Sequence, residues 1–172
     1  MLVVLRLGHR VGRDLRITTH VALTARAMGC DKVMLSGEKD ESVIASIKNV
    51  VEKWGGSFTV EYQKDWKKIV GEWEGRTVHL TMYGEPVEEK ISEIRKFKNL
   101  LIIVGSEKVP GEVYKMSTYN ISITSQPISE VSALAVFLHE YFKGSELGKK
   151  FKKARIKIIP QAKGKKIERG YD

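Results

Sequence analysis

The chain has 172 residues, of which 42% are hydrophobic and 30% charged, and it carries a formal net charge of +9. That balance is too apolar for a disordered chain and long enough for one domain with a real core plus a small appendage. No stretch approaches the 18 uninterrupted apolar residues of a membrane span, and MLVVLRLGHR is too short an apolar run for a signal peptide, so a cytoplasmic protein is expected.

Cys30 stands alone and cannot form an internal disulfide. With His9, His20, His79 and His139 scattered, there is no paired metal-ligand spacing, and no metal is expected. The positive charge is concentrated. Lys143 to Asp172 holds eleven Lys or Arg against three Asp or Glu, whereas residues 1–142 hold nineteen against eighteen. A nearly neutral body with a basic tail is the electrostatic footprint of a phosphate-rich partner.

In chain order, LVVLRL, DKVML, SFTVEY, RTVHLTM, LLIIVG and YNISI read as strands, most of them apolar on both faces. Strands of that kind lie between helix layers, which predicts an open parallel α/β sheet. Helices are predicted at 19–28, 41–53, 64–70, 87–97 and 130–142. The last is the clearest, because Val131, Leu134, Ala135, Leu138, Tyr141 and Phe142 form one apolar face and Ser129 or Glu130 begins it. That face suits either the core or a contact between subunits. After Gly148, ARIKIIP and GKKIERG read as a basic β-hairpin, so the organisation expected is a domain at 1–148 with a hairpin extension at 149–172 packed on it.

Several chemistries are excluded by what is missing. The sequence has no GxxxxGK[ST], no GxGxxG after its first strand and no GxSxG. Three glycine- and polar-rich segments instead follow strands directly: HLTMYG at 79–84, GSEKVPG at 105–111 and ITSQPIS at 123–129. In an open α/β sheet such loops line the ligand crevice, and small side chains without a lysine cluster suit a nucleoside better than a triphosphate. A fourth segment places Arg6, Arg10, Arg13 and Arg16 ahead of a helix that Thr18 or Thr19 is expected to cap. Guanidinium forks match phosphate geometry, so this loop is a candidate seat for an RNA backbone, with pairing to Asp14 as the plainer role.

These four segments, in this order, resemble the motifs of the SPOUT methyltransferases. IIVGSEKVPG is similar to the family's second motif and YNISITSQPISEVSALAVFL to its third. Within that superfamily the resemblance is to the archaeal tRNA cytidine-56 2'-O-methyltransferases. It runs through LRLGHR, RDxRxTTHVALTARA, WGG, VHLTMYG, GxEKVP, SQPxSEVxALAVFL and IKIIPQAxGKK, and covers residues 2 to about 167.

The resemblance implies a SPOUT-type parallel sheet with a C-terminal trefoil knot, a homodimer, and tRNA as substrate. It implies S-adenosylmethionine as methyl donor, held by Leu80, by Gly105, Ser106, Glu107, Lys108 and Val109, and by Ile123, Thr124, Ser125, Gln126, Pro127, Ile128, Ser129 and Glu130. Ribose methyltransferases of the superfamily use an arginine near the first motif, but aligned on Ala27 and Gly29 that position falls here at Leu23. Arg16 is the catalytic candidate, with Arg13 and Arg10 as substitutes. For RNA contact the candidates are Lys152, Lys153, Arg155, Lys163, Lys165 and Lys166 of the basic tail. A non-catalytic RNA-binding module and a base-methylating enzyme are the competing readings.

Overall fold

The computed structural model describes residues 1–106 and 108–170. Six strands form one sheet: β1 (Leu2–His9), β2 (Lys32–Gly37), β3 (Thr59–Tyr62), β4 (Arg76–Pro86), β5 (Leu100–Val104) and β6 (Tyr119–Ser122). Their order across the sheet is β3-β2-β1-β5-β4-β6, and all five pairings are parallel, as the sequence predicts. The central strands are apolar because both faces are covered. Val3, Leu5 and Leu7 of β1 enter one core, while Leu2 and Val4 enter the other, following the two-residue alternation of a strand.

The larger core lies between the sheet and four helices, α1 (Leu15–Ala27), α2 (Glu41–Trp54), α4 (Val87–Ile94) and α6 (Glu130–Phe142). The smaller one lies under α3 (Trp66–Gly71) and α5 (Gly111–Met116) on the opposite face. On α6, Leu134, Phe137, Leu138 and Tyr141 are buried, so its apolar stripe chiefly serves this chain's own core.

Helix starts depend on which side chains are available. Asp40 begins α2 by accepting from Ser42 N and Val43 N at 3.0 and 3.2 Å, and Ser129 begins α6 by accepting from Ser132 N at 3.2 Å. The first helix departs from expectation, starting at Leu15 with neither threonine as its cap. Thr18 is buried with its hydroxyl 2.8 Å from His9 Nδ1, and Thr19 donates back to Leu15 O. The carboxylate of Asp14 is taken by Arg10 N and Nε, each at 3.1 Å.

The tail forms a two-stranded antiparallel hairpin, β7 (Ile156–Ile159) with β8 (Lys166–Arg169). It is fastened to the end of α2 by Gly56 N donating to Lys152 O and Arg155 N donating to Lys53 O. Arg26 donates to Gly55 O at 2.6 Å and lies over the Phe151 ring, 4.4 Å from its centroid, which ties α1 into the same junction. Among the described residues no helix is long and apolar enough to cross a membrane.

Replacing Asp40 with Ala removes Oδ1, the acceptor for two backbone amides at the start of α2, together with the contact of Oδ2 to His9 Nε2 at 3.2 Å. The expected loss is about 1–2 kcal/mol of unfolding free energy, measured by urea denaturation. A loss below about 0.3 kcal/mol would show that water replaces the cap without cost.

Candidate active site

The carboxyl ends of β4, β5 and β6 surround a cavity of about 740 Å³. Its floor comes from His79 and Leu80 on β4 and Ile121 on β6. β4 has an unusual course. Leu80 and Glu85 both register on Ile121, so Thr81, Met82, Tyr83 and Gly84 leave the sheet as an excursion before the strand resumes. The return is tight, since a Cβ on Gly84 would stand 2.5 Å from the Asn120 carbonyl carbon and Ile121 nitrogen. Only glycine fits there.

All three strand-end segments singled out in the sequence meet at this cavity. Gly105, Ser106, Lys108 and Val109 line one side, and Ile123, Thr124, Gln126, Pro127, Ile128 and Glu130 line another. Of the remaining residues expected there, Ser125 is exposed, Ser129 is occupied as the cap of α6, and Glu107 lies outside the described residues.

Besides Ile121 and Glu130, the lining residues outside those segments are Tyr114 and Ala133. Tyr114 sits on α5, a helix of six residues that is too short for its periodicity to register in sequence. Its ring meets His79 edge-on at 4.7 Å, and its hydroxyl is 3.1 Å from Thr81 Oγ1. Asn120 joins the two by donating from Nδ2 to Tyr114 O at 2.9 Å while its Oδ1 lies 2.9 Å from His79 Nδ1. With Nδ2 committed as a donor, Oδ1 accepts, and the proton of His79 resides on Nδ1. Its Nε2 is then a bare acceptor with no partner among the described residues.

Arg6 corrects the sequence reading. Grouped there with the exposed arginines, it is 1% exposed and lies inside the fold. It donates from Nη1 to Leu7 O and Gly105 O, and its Nη2 is 3.7 Å from Glu130 Oε1. Burial lowers its pKa, opposed by the carboxylates of Glu130 and Asp14. An arginine keeps its proton in such surroundings, so a fixed positive charge stands behind the cavity wall. It joins β1, the turn after β5 and the first residue of α6.

Arg13 and Arg16 are exposed, Arg13 before α1 and Arg16 in its first turn, and Arg10 is paired with Asp14. None of the three lines the cavity. Their loop is nevertheless rooted beside it, because a Cβ on Gly8, at φ +64°, would stand 2.9 Å from Ser106 Oγ. Lys152, Lys153, Lys163, Lys165 and Lys166 are exposed on the tail, while Arg155 reaches Glu52 Oε1 at 2.8 Å.

The sequence profile of the tRNA ribose 2'-O-methyltransferase family, aTrm56, matches residues 54–168. A protein of Methanopyrus kandleri named tRNA (cytidine(56)-2'-O)-methyltransferase is 54% identical over 97% of this chain and 96% of its own length. The chain belongs to the tRNA ribose 2'-O-methyltransferase family. A relative of the same name from Thermococcus kodakarensis is 53% identical, also over 97% of this chain and 96% of its own length.

Solved structures agree on the fold. An RNA 2'-O ribose methyltransferase superposes with a TM-score of 0.62 at 18% identity, over 84% of this chain and 56% of that one. The SpoU methyltransferase AviRb from Streptomyces viridochromogenes, solved with AdoMet, gives 0.62 at 14% identity, over 83% and 57%. The chain therefore spans a little over half the length of these two solved chains.

Desolvation holds the His79 imidazole below its usual value near 6.5, against the opposing bond to Asn120. As pH falls through 6.5 the unfolded chain takes up a proton that the folded chain refuses, so this histidine's contribution to stability is full above 6.5 and declines on acidification. In an NMR titration the His79 ring resonances should keep their neutral-form positions at pH 6.5. A midpoint at or above 6.5 would show that burial does not dominate.

Proposed function

We propose that this chain methylates the 2'-hydroxyl of cytidine 56 in the T-loop of tRNA, using S-adenosylmethionine. The observation that carries this reading is the meeting of three small-residue strand-end segments at one cavity, in a chain related over nearly its full length to enzymes of that name. Its volume is within the roughly 300–1,000 Å³ of small-molecule sites.

The wall chemistry fits the donor. Leu80, Val109, Ile121 and Ile123 offer apolar surface for an adenine. A single lysine, Lys108, would not hold a triphosphate. The donor-holding residues are Leu80, the 105–109 turn including Glu107, and 123–130. When bound, S-adenosylmethionine supplies an electrophilic methyl group on a positively charged sulfur.

What remains for the protein is to align the ribose hydroxyl and ease the loss of its proton. Arg16 stabilises the developing oxyanion and orients the adjacent phosphate, with Arg13 and Arg10 beside it. An arginine with a pKa above about 12 is no base, so the proton leaves to a phosphate or to water. The exposed apolar residues Val11, Leu15, Ile128 and Val136 favour a homodimer with the arginine loop near the junction. The basic tail, residues 149–172, is an extension of the 1–148 domain that grips the tRNA backbone through Lys152, Lys153, Arg155, Lys163, Lys165 and Lys166. The C-terminal trefoil knot that the family resemblance implies belongs to the same reading. The setting is the cytoplasm.

Incubation with radiolabelled donor and an unmodified tRNA transcript should place label on a T-loop cytidine in an alkali-resistant linkage. Label on a base would establish the base-methylating reading, and tight tRNA binding without transfer would leave a binding module. Arg16→Ala should lower turnover by about a hundredfold or more while donor binding survives. Unchanged turnover would remove Arg16 from the reaction.

A further inference from the structure

The tail hairpin holds an apolar pair that neither the core nor the cavity uses. Directly opposed residues of an antiparallel pair share a face, and Ile158 stands opposite Ile167. They are 64% and 53% exposed. The neighbouring pair on that face is Ile156 with Arg169. Threonine would serve a strand as well without presenting hydrocarbon to water.

The surroundings narrow the occupant. Arg169 lies on the same face as the pair, Lys163 and Lys165 occupy the connecting turn, and Lys157, Lys166 and Glu168 alternate to the opposite face. The segment from Lys143 to Asp172 carries eleven basic against three acidic residues. A two-fold contact between copies through this face would bring two such segments together against their repulsion. A partner that combines flat apolar surfaces with closely spaced negative charges meets both features, and that is the chemistry of an unstacked nucleic-acid strand.

We infer that Ile158 and Ile167 form a platform for the face of a nucleobase exposed by the RNA substrate, while Arg169 and the lysines of the turn hold its phosphates. The inference rests on the reading of this protein as an RNA-modifying enzyme. It changes the hairpin from a backbone grip into an element that senses whether bases are unstacked. Apolar side chains placed against bases in this way hold a distorted nucleic acid in its opened form.

Charge and hydrocarbon leave different marks on binding. Counterion release makes affinity fall with salt at about 0.7–0.9 per phosphate contact, whereas an apolar contact shifts affinity without changing that slope. Full-length protein is titrated against a fluorescent unmodified tRNA transcript over a range of salt concentrations. The variants are Ile158→Thr with Ile167→Thr, Ile158→Phe alone, and Lys163→Gln with Lys165→Gln and Lys166→Gln.

The threonine pair should weaken binding about tenfold at every salt concentration, giving a line parallel to wild type, and the phenylalanine variant should tighten it. The lysine triple variant should flatten the slope. Wild-type affinity in both isoleucine variants, with the slope reduced in the lysine variant, would overturn the platform and leave the RNA reading standing. Absence of salt-dependent tRNA binding by the wild-type protein would overturn both. Weakened binding accompanied by a change of sedimentation coefficient would assign the face to a contact between copies instead.

Discussion

A positive charge held inside the fold sets the form of the cavity. Arg6 cannot shed its proton and cannot reach water, so the chain must bring acceptors to it. Two are the carbonyls of Leu7 and Gly105, and the compensating anion is Glu130. Carbonyl and amide of a trans peptide point in opposite directions, so fixing the Gly105 carbonyl toward Arg6 turns the Ser106 amide away from it. A single side chain thus orients the turn after β5 and anchors the start of α6 across from it. A buried pair of this kind stabilises little by itself, and its value lies in selecting one arrangement of the walls.

The second constraint is steric. β4 leaves the sheet at Thr81 and returns with Gly84 packed against the β6 backbone. The excursion places Met82 and Tyr83 on the cavity rim and leaves Thr81 to meet the Tyr114 hydroxyl. The network of His79, Asn120, Tyr114 and Thr81 then braces β4, α5 and β6 from below. Rigid walls of this kind matter where a methyl group must meet one particular oxygen.

Much of this was legible in the residues. The buried runs of β1 and β5, the bounds of α6 and the convergence of three strand-end segments all follow from periodicity and from the rule that loops at strand carboxyl ends line the crevice. Arg6 was misread because it was counted with its arginine neighbours. Alternation along LVVLRL places it on the same face as Leu2 and Val4, and that face is core. The early start of α1 was hidden for another reason. Thr18 is bound by His9 and the Asp14 carboxylate by Arg10, and a propensity for capping does not reveal a competing tertiary partner. Tyr114 went unseen because six residues make fewer than two helical turns.

The central pairing of the sheet also has a kinetic meaning. β1 lies between β2 and β5, and Leu2 registers on Leu100. During synthesis, β1 can pair with β2 early, but its other edge stays open until the chain has grown past residue 100. Pairings this distant along the chain make folding slow, and an apolar strand with an unfilled edge is a template for association with other chains. The arrangement that buries β1 on both sides in the finished protein therefore leaves the nascent chain dependent on protection for the whole interval before β5 emerges.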